Sequence, residues 1–69
     1  MEQIKLSEDY IKLGQALKAA GLVSSGVEAK IVIQDGLVSV DGEIDTRRGK
    51  KLYGGEVIEF DGQAVKIVK

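Results

Sequence analysis

The chain has 69 residues, ten Lys or Arg against eleven Asp or Glu, and no His, Cys, Pro or Trp. That length holds one small domain, and the missing His and Cys exclude the disulfides and zinc sites on which thin cores often rely. The 43% of apolar residues must build a core unaided, and catalysis loses its usual base, its thiolate and its common metal ligands.

The first twenty residues read as a helix. Ser7 is an N-cap with Glu8 and Asp9 in the first turn, where the helix dipole favours negative charge. Leu6 and Ile11 fit a hydrophobic staple, and Tyr10, Leu13, Leu17 and Ala20 recur at helical spacing as a core stripe. Gly21 supplies the left-handed stop. Gly14 costs about 1 kcal/mol against Ala inside a helix, which points to another backbone coming close. A second helix starts at Ser25, followed three residues on by Glu28 in a capping-box pattern, and Gly36 stops it. Its apolar residues lie on two sides: Ala29, Val32 and Ile33 on one, Val27 and Ile31 nearly opposite. Such a helix wants two partners.

From residue 37 the period becomes two. Leu37-Val38-Ser39-Val40 is a strand, Asp41-Gly42 a hairpin turn, and Glu43-Ile44 begins the return. Gly54-Gly55 turn the chain into Glu56 to Phe60, and Asp61-Gly62 make a second hairpin into Gln63 to Val68. The expected fold is α+β over residues 1–69, with two packed N-terminal helices on a small, mostly antiparallel sheet.

Met1 to Lys5 lacks the charged and apolar regions of a secretory signal, and the longest apolar runs, such as Ile31-Val32-Ile33, fall far short of a membrane span. A cytoplasmic protein without membrane contact is expected. Ser24 and Ser25 have no activating context, and a helix cap explains Ser25. Asp41, Glu43 and Asp45 alternate along a hairpin edge without the spacing of a cation cage. Gly49-Lys50 is no phosphate loop, because Ile44 stands where the leading Gly belongs and Lys51 where a hydroxyl is needed. No catalytic residue, metal or cofactor is expected.

Charge is unevenly placed. Residues 1–46 hold four basic and eight acidic side chains, whereas residues 47–69 hold six basic and three acidic. Arg47, Arg48, Lys50 and Lys51 fall together around Gly49. Four cations without an interspersed acid repel one another unless a polyanion meets them, so the loop reads as a phosphate contact or as an ordinary solvated turn. Lys12, Lys18 and Lys30 on the helices extend the basic surface. Tyr53 is expected to be buried against the sheet, with stacking on a base as the alternative.

The helix followed by Gly21-Leu22, Ser25, Glu28-Ala29-Lys30, Ile33, Asp35-Gly36, Val38, Val40-Asp41-Gly42 and Thr46-Arg47-Arg48-Gly49-Lys50-Lys51 resembles the S-four RNA-binding domain, the alpha-L motif. Gly55-Glu56-Val57-Ile58 is similar to the motif's end, and the likeness runs from about residue 10 to residue 60. More narrowly the chain looks like the stand-alone bacterial S-four proteins of the YaaA/YbcJ type, in which Leu13-Gly14-Gln15, Leu17-Lys18 and Arg47 to Tyr53 recur almost as written here. Gly26 is a departure, standing where many members carry a basic residue.

The resemblance implies recognition of structured RNA without catalysis, ribosomal RNA ahead of transfer RNA. By position it nominates Lys30, Arg47, Arg48, Lys50 and Lys51, with Lys18 and Ser25 as lesser candidates. A protein-interaction module that docks the basic loop on an acidic partner is the alternative, and a ribosomal or other protein partner for an RNA-bound form stays open. It would gain support from exposure of Val27 and Ile31. DNA is disfavoured, since Lys30 and Gln34 alone would have to read bases from the second helix.

Overall fold

Both Asp-Gly pairs form the tight turns expected of them, with φ positive at each residue: 52° and 86° at Asp41 and Gly42, 54° and 76° at Asp61 and Gly62. That backbone matches the right-handed twist of paired strands and so closes two-residue hairpins. The computed structural model describes residues 1–69. Strands β3 (Val38–Val40) and β4 (Glu43–Ile44) flank the first turn, and β6 (Val57–Phe60) and β7 (Gln63–Val68) the second. Asp41 also ties the hairpins together, its side chain accepting from the Val57 N–H at 2.9 Å and its own N–H donating to the Val57 carbonyl at 2.8 Å.

The N-terminal segment differs from its sequence reading. Residues Glu2–Lys5 are strand β1, which pairs parallel with β7 and places Ile4 opposite Ile67. The five-stranded sheet therefore runs β1-β7-β6-β3-β4 and is mixed, with one parallel pair. Ser7, Glu8 and Asp9 form a bend, and Ile11–Lys12 is a second short strand, β2. Helix α1 spans only Leu13–Ala19. The helices thus follow two strands. The capping signal at Ser7 fails because long-range pairing holds the chain extended: Leu6 N–H donates to the Val68 carbonyl at 2.8 Å, and Ile11 pairs with Leu52.

Helix α2 (Gly26–Gln34) follows its signals closely. The Ser25 hydroxyl accepts from the Glu28 N–H at 3.1 Å, and Gly36 ends the helix with φ 76°. The Glu28 carboxylate turns instead to the N–H and hydroxyl of Ser24, at 2.7 and 3.0 Å, so the box closes one residue early.

The two helices pack on each other and on the sheet around Leu13, Leu17, Ile33, Val38, Leu52, Ile58, Val65 and Ile67, all fully buried. No charged or polar side chain is buried there. Strand β5 (Lys51–Leu52) pairs antiparallel with β2, making a separate two-stranded ribbon. Leu52 and Ile11 face the core from it, which fixes the basic loop against the helices. Val27 and Ile31, on the other side of α2, are 70% and 53% exposed. The second partner that this face calls for is not part of the fold. No helix is long and apolar enough to cross a membrane.

Candidate functional site

The basic loop is held by its backbone. The N–H groups of Leu13 and Gly14, which open α1 and have no partner within the helix, donate to the carbonyls of Lys50 and Arg48 at 2.8 and 3.1 Å. Gln15 completes the cap by accepting from the Lys12 N–H at 3.1 Å. The hydrogen bond from the Gly14 N–H is the backbone approach that its place inside a helix suggested. A Cβ at Gly14 would lie 2.8 Å from Arg48 Cγ, so a larger residue would displace the Arg48 side chain, while the Arg48 carbonyl oxygen, 3.6 Å away, would be in ordinary contact.

The docking opens a cleft of about 370 Å³ between α1, the first residue of α2 and the loop. Three cations line it, Lys12, Lys18 and Arg48, with the Gln15 amide and three glycines, Gly14, Gly26 and Gly49. No carboxylate and no apolar side chain reaches it. Cβ atoms at Gly26 and Gly49 would meet no neighbour, so these glycines keep the walls open rather than relieve a clash.

Of the residues nominated from sequence, Arg48 and Lys18 meet in this cleft, while Lys30, Arg47, Lys50, Lys51 and Ser25 are outside its lining. The Ser25 hydroxyl is engaged as the α2 cap, and Lys30 stands exposed one turn beyond Gly26. Lys51 leaves the loop along β5, its ammonium 4.9 Å from the centre of the Tyr10 ring. Arg47 and Lys50 turn to Asp45. Arg47 donates to that carboxylate through Nε at 3.0 Å and a terminal nitrogen at 2.8 Å, and its backbone N–H adds a third bond at 2.9 Å. Lys50 Nζ is 4.0 Å from the same carboxylate. The self-repulsion expected of the four-cation run is therefore reduced from within, by an acid two residues ahead of it.

Uncompensated repulsion lies elsewhere. Lys12 and Lys51 sit directly opposite each other across the β2–β5 ladder, and like charges so placed destabilise a pair. Lys12 and Gln15 complete the cleft although only Arg48 and Lys18 were nominated for it; Gln15 stands three residues before Lys18, a helical spacing that places both on one face, whereas Lys12 lies on β2 and carried no such signal. Tyr10 and Tyr53 also depart from expectation. Tyr10 is no core residue and Tyr53 is not buried against the sheet; they are 37% and 51% exposed.

Two carboxylates hold the loop's ends. Hydrogen bonds from the Arg47 side chain lower the pKa of Asp45, against a smaller opposing effect of its partial burial. At Glu56 burial acts to raise the pKa, and the N–H groups of Tyr53, Gly54 and Glu56 itself, with Lys50 nearby, outweigh it and leave the pKa lowered. Tyr53 and Gly54 each donate to this carboxylate at 2.8 Å, across a turn in which Gly54 and Gly55 have φ of 121° and 96°. A carboxyl whose pKa is depressed on folding contributes stability above its unfolded pKa and loses it as pH falls through the folded one. The urea midpoint is therefore expected to hold from pH 7 to 5 and to fall below about pH 4, and Asp45→Asn with Glu56→Gln is expected to flatten that acid limb. An equally steep limb in the double variant would place the acid sensitivity elsewhere.

The chain is similar to known proteins over most of its length. YbcJ of Escherichia coli (strain K12) is 39% identical over 59 residues, covering 86% of this chain and 84% of that protein. The Bacillus subtilis (strain 168) protein named "Probable ribosome maturation protein RlbA" is 44% identical over 59 residues, covering 86% and 83%. The solution structure of YbcJ from E. coli, described as revealing an alpha-L motif involved in RNA binding, superposes with a TM-score of 0.77 at 36% identity, over 100% of this chain and 89% of that one. The family model described as S4 domain matches residues 4–68, which take in the loop, both helices and the last two residues of β1. The chain belongs to the S4 domain family.

Proposed function

We propose that the protein binds structured RNA without catalysis, ribosomal RNA first and transfer RNA second, as a single unit acting in the cytoplasm. The carrying observation is the acid-free cleft in which Lys12, Lys18 and Arg48 converge around open glycine walls. Folded RNA is recognised largely through its shape, phosphates and 2′-hydroxyl groups, a task for clustered cations rather than base-reading side chains. The names of the relatives, an RNA-binding motif in one and ribosome maturation in another, point the same way. Lys51, Lys50, Arg47 and Lys30, which stand outside the cleft lining, serve as outer phosphate contacts, and Ser25 contributes by fixing the start of α2, whose first residue, Gly26, lines the cleft.

Four to six phosphate contacts give a log–log dependence of affinity on salt with a slope of roughly −3 to −5. The test is binding of ribosomal RNA fragments, transfer RNA and duplex DNA at two salt concentrations, with an Arg47, Arg48, Lys50 and Lys51 to Ala variant alongside. Steep salt dependence on RNA, weaker binding to DNA and loss in the variant are expected. A slope near zero would overturn the reading.

One observation favours a second reading. Val27, which directly follows the cleft-lining Gly26, and Ile31 one turn further on are exposed, so α2 carries an uncovered apolar strip that starts next to the cleft. In that reading the loop docks on an acidic protein surface and the strip is covered by the same partner. Absence of salt-dependent binding to every nucleic acid above would favour it.

A further inference from the structure

Chain alternation on the β2–β5 ribbon sorts side chains by face. Ile11 and Leu52, opposite each other, point into the core. Lys12 and Lys51 are the next opposed pair, and the register extended one step the other way brings Tyr10 opposite Tyr53. Two tyrosines and two lysines therefore share the outward face. The rings are 5.9 Å apart at their centres and tilted by 55°, and the Lys51 ammonium lies against Tyr10. Core packing of the ribbon is supplied by Leu52 and Ile11 from behind, so it does not require half-exposed aromatic rings in front.

The surroundings of the pair carry both signs of charge. Lys12 and Gln15, which line the cationic cleft, also border the surface beside Tyr10, together with Glu8 and Asp9. The same two carboxylates border Tyr53, where Lys69 joins them. A phosphate is repelled by these carboxylates and drawn to Lys12 and Lys51, which face each other on the ribbon. A nucleobase is uncharged, has a π face for the rings, and tolerates both.

We infer that the Tyr10–Tyr53 pair is a stacking seat for one unpaired RNA base whose flanking phosphates lie along Lys12 and Lys51 toward the cleft. This rests on the RNA-binding reading and sharpens it, since the ligand becomes a folded RNA with an unstacked nucleotide beside a duplex rather than a continuous helix.

The test uses three RNA hairpins: one with a single bulged nucleotide, one with an abasic residue at the bulge, and one fully paired. The bulged and abasic hairpins carry the same phosphates, so charge alone cannot separate them. Tyr10 and Tyr53 are the only tyrosines, and there is no Trp, so the protein's tyrosine emission reports on this seat alone. The bulged hairpin is expected to bind about 5- to 100-fold more tightly than the abasic one and to quench the emission more strongly. Tyr53→Leu is expected to remove that preference while leaving the salt dependence, and Tyr53→Phe to keep it. Equal affinity and equal quenching by the bulged and abasic hairpins, with salt-dependent binding intact, would overturn the stacking seat and leave RNA binding standing. Retention of the preference in Tyr53→Leu would also overturn it. Absence of binding to all three hairpins would overturn both readings.

Discussion

Replacing Lys12, Lys18 and Arg48 together by Ala is expected to weaken binding of structured RNA by about two to three orders of magnitude near 0.1 M salt. Each phosphate contact on a duplex releases close to one counterion, so its loss costs roughly eightfold at that salt concentration, and three losses multiply to about five hundredfold. The log–log salt slope should become shallower by roughly 2 to 3 at the same time. Those side chains are exposed and make no ion pair, and loss of Lys12 relieves its repulsion with Lys51, so stability to urea should not fall, which separates loss of contact from loss of fold. Lys30→Ala removes an equal charge outside the cleft and is expected to cost no more than one contact. Arg47→Ala should also cost less than Arg48→Ala, because the Arg47 guanidinium is already neutralised by Asp45. Equal effects of all single cation replacements would show that net charge, and not convergence in the cleft, governs binding.

How much of this was legible in the residues follows from the range of the interactions. The hairpins at Asp41-Gly42 and Asp61-Gly62, the Ser25 cap and the Gly36 stop are each decided within a few residues, and the chain declares them. Strands β1, β2 and β5 hold two to four residues each, and their partners are distant: Glu2 pairs with Val65 and Ile11 with Leu52. Two residues carry no period. Tyr10 therefore read as helical, three positions before Leu13, while the pairing of Ile11 with Leu52 turns it outward.

The site divides in the same way. The cations could be counted in the sequence, but their sorting could not. Arg48 reaches Lys18 because loop carbonyls cap α1, and a carbonyl belongs to every residue alike. Gly14 was the only trace of that docking left in the chain. Asp45 stood in view, yet its bonds to Arg47 depend on a turn whose geometry the run of charges does not specify.

The docking has one fully buried apolar anchor, whose removal should be felt in both stability and binding. Leu52 is fully buried and is the residue of β5 that enters the core; its neighbours Lys51 and Tyr53 face outward. Leu52→Ala is expected to destabilise the fold by about 2–5 kcal/mol, from lost transfer energy and the cavity left behind. A domain of this size has on the order of 4–10 kcal/mol in total, so the loss approaches half of it. At about 4–8 °C per kcal/mol for small domains, the melting temperature should fall by at least about 8 °C. Leu52→Met keeps the volume and should cost less than about 1.5 kcal/mol. The consequence for binding separates two pictures of the loop. If Leu52 only adds to a common core, the surviving folded fraction binds RNA with unchanged affinity once corrected for population. If it holds the β2–β5 ribbon in register, Lys12 and Lys51 are free to part and relieve the repulsion between them. The corrected affinity should then fall as well, while an equally buried Ala substitution at Ile67, on β7 and outside the ribbon, lowers stability alone. The second outcome is expected, because nothing else apolar in β5 opposes that separation.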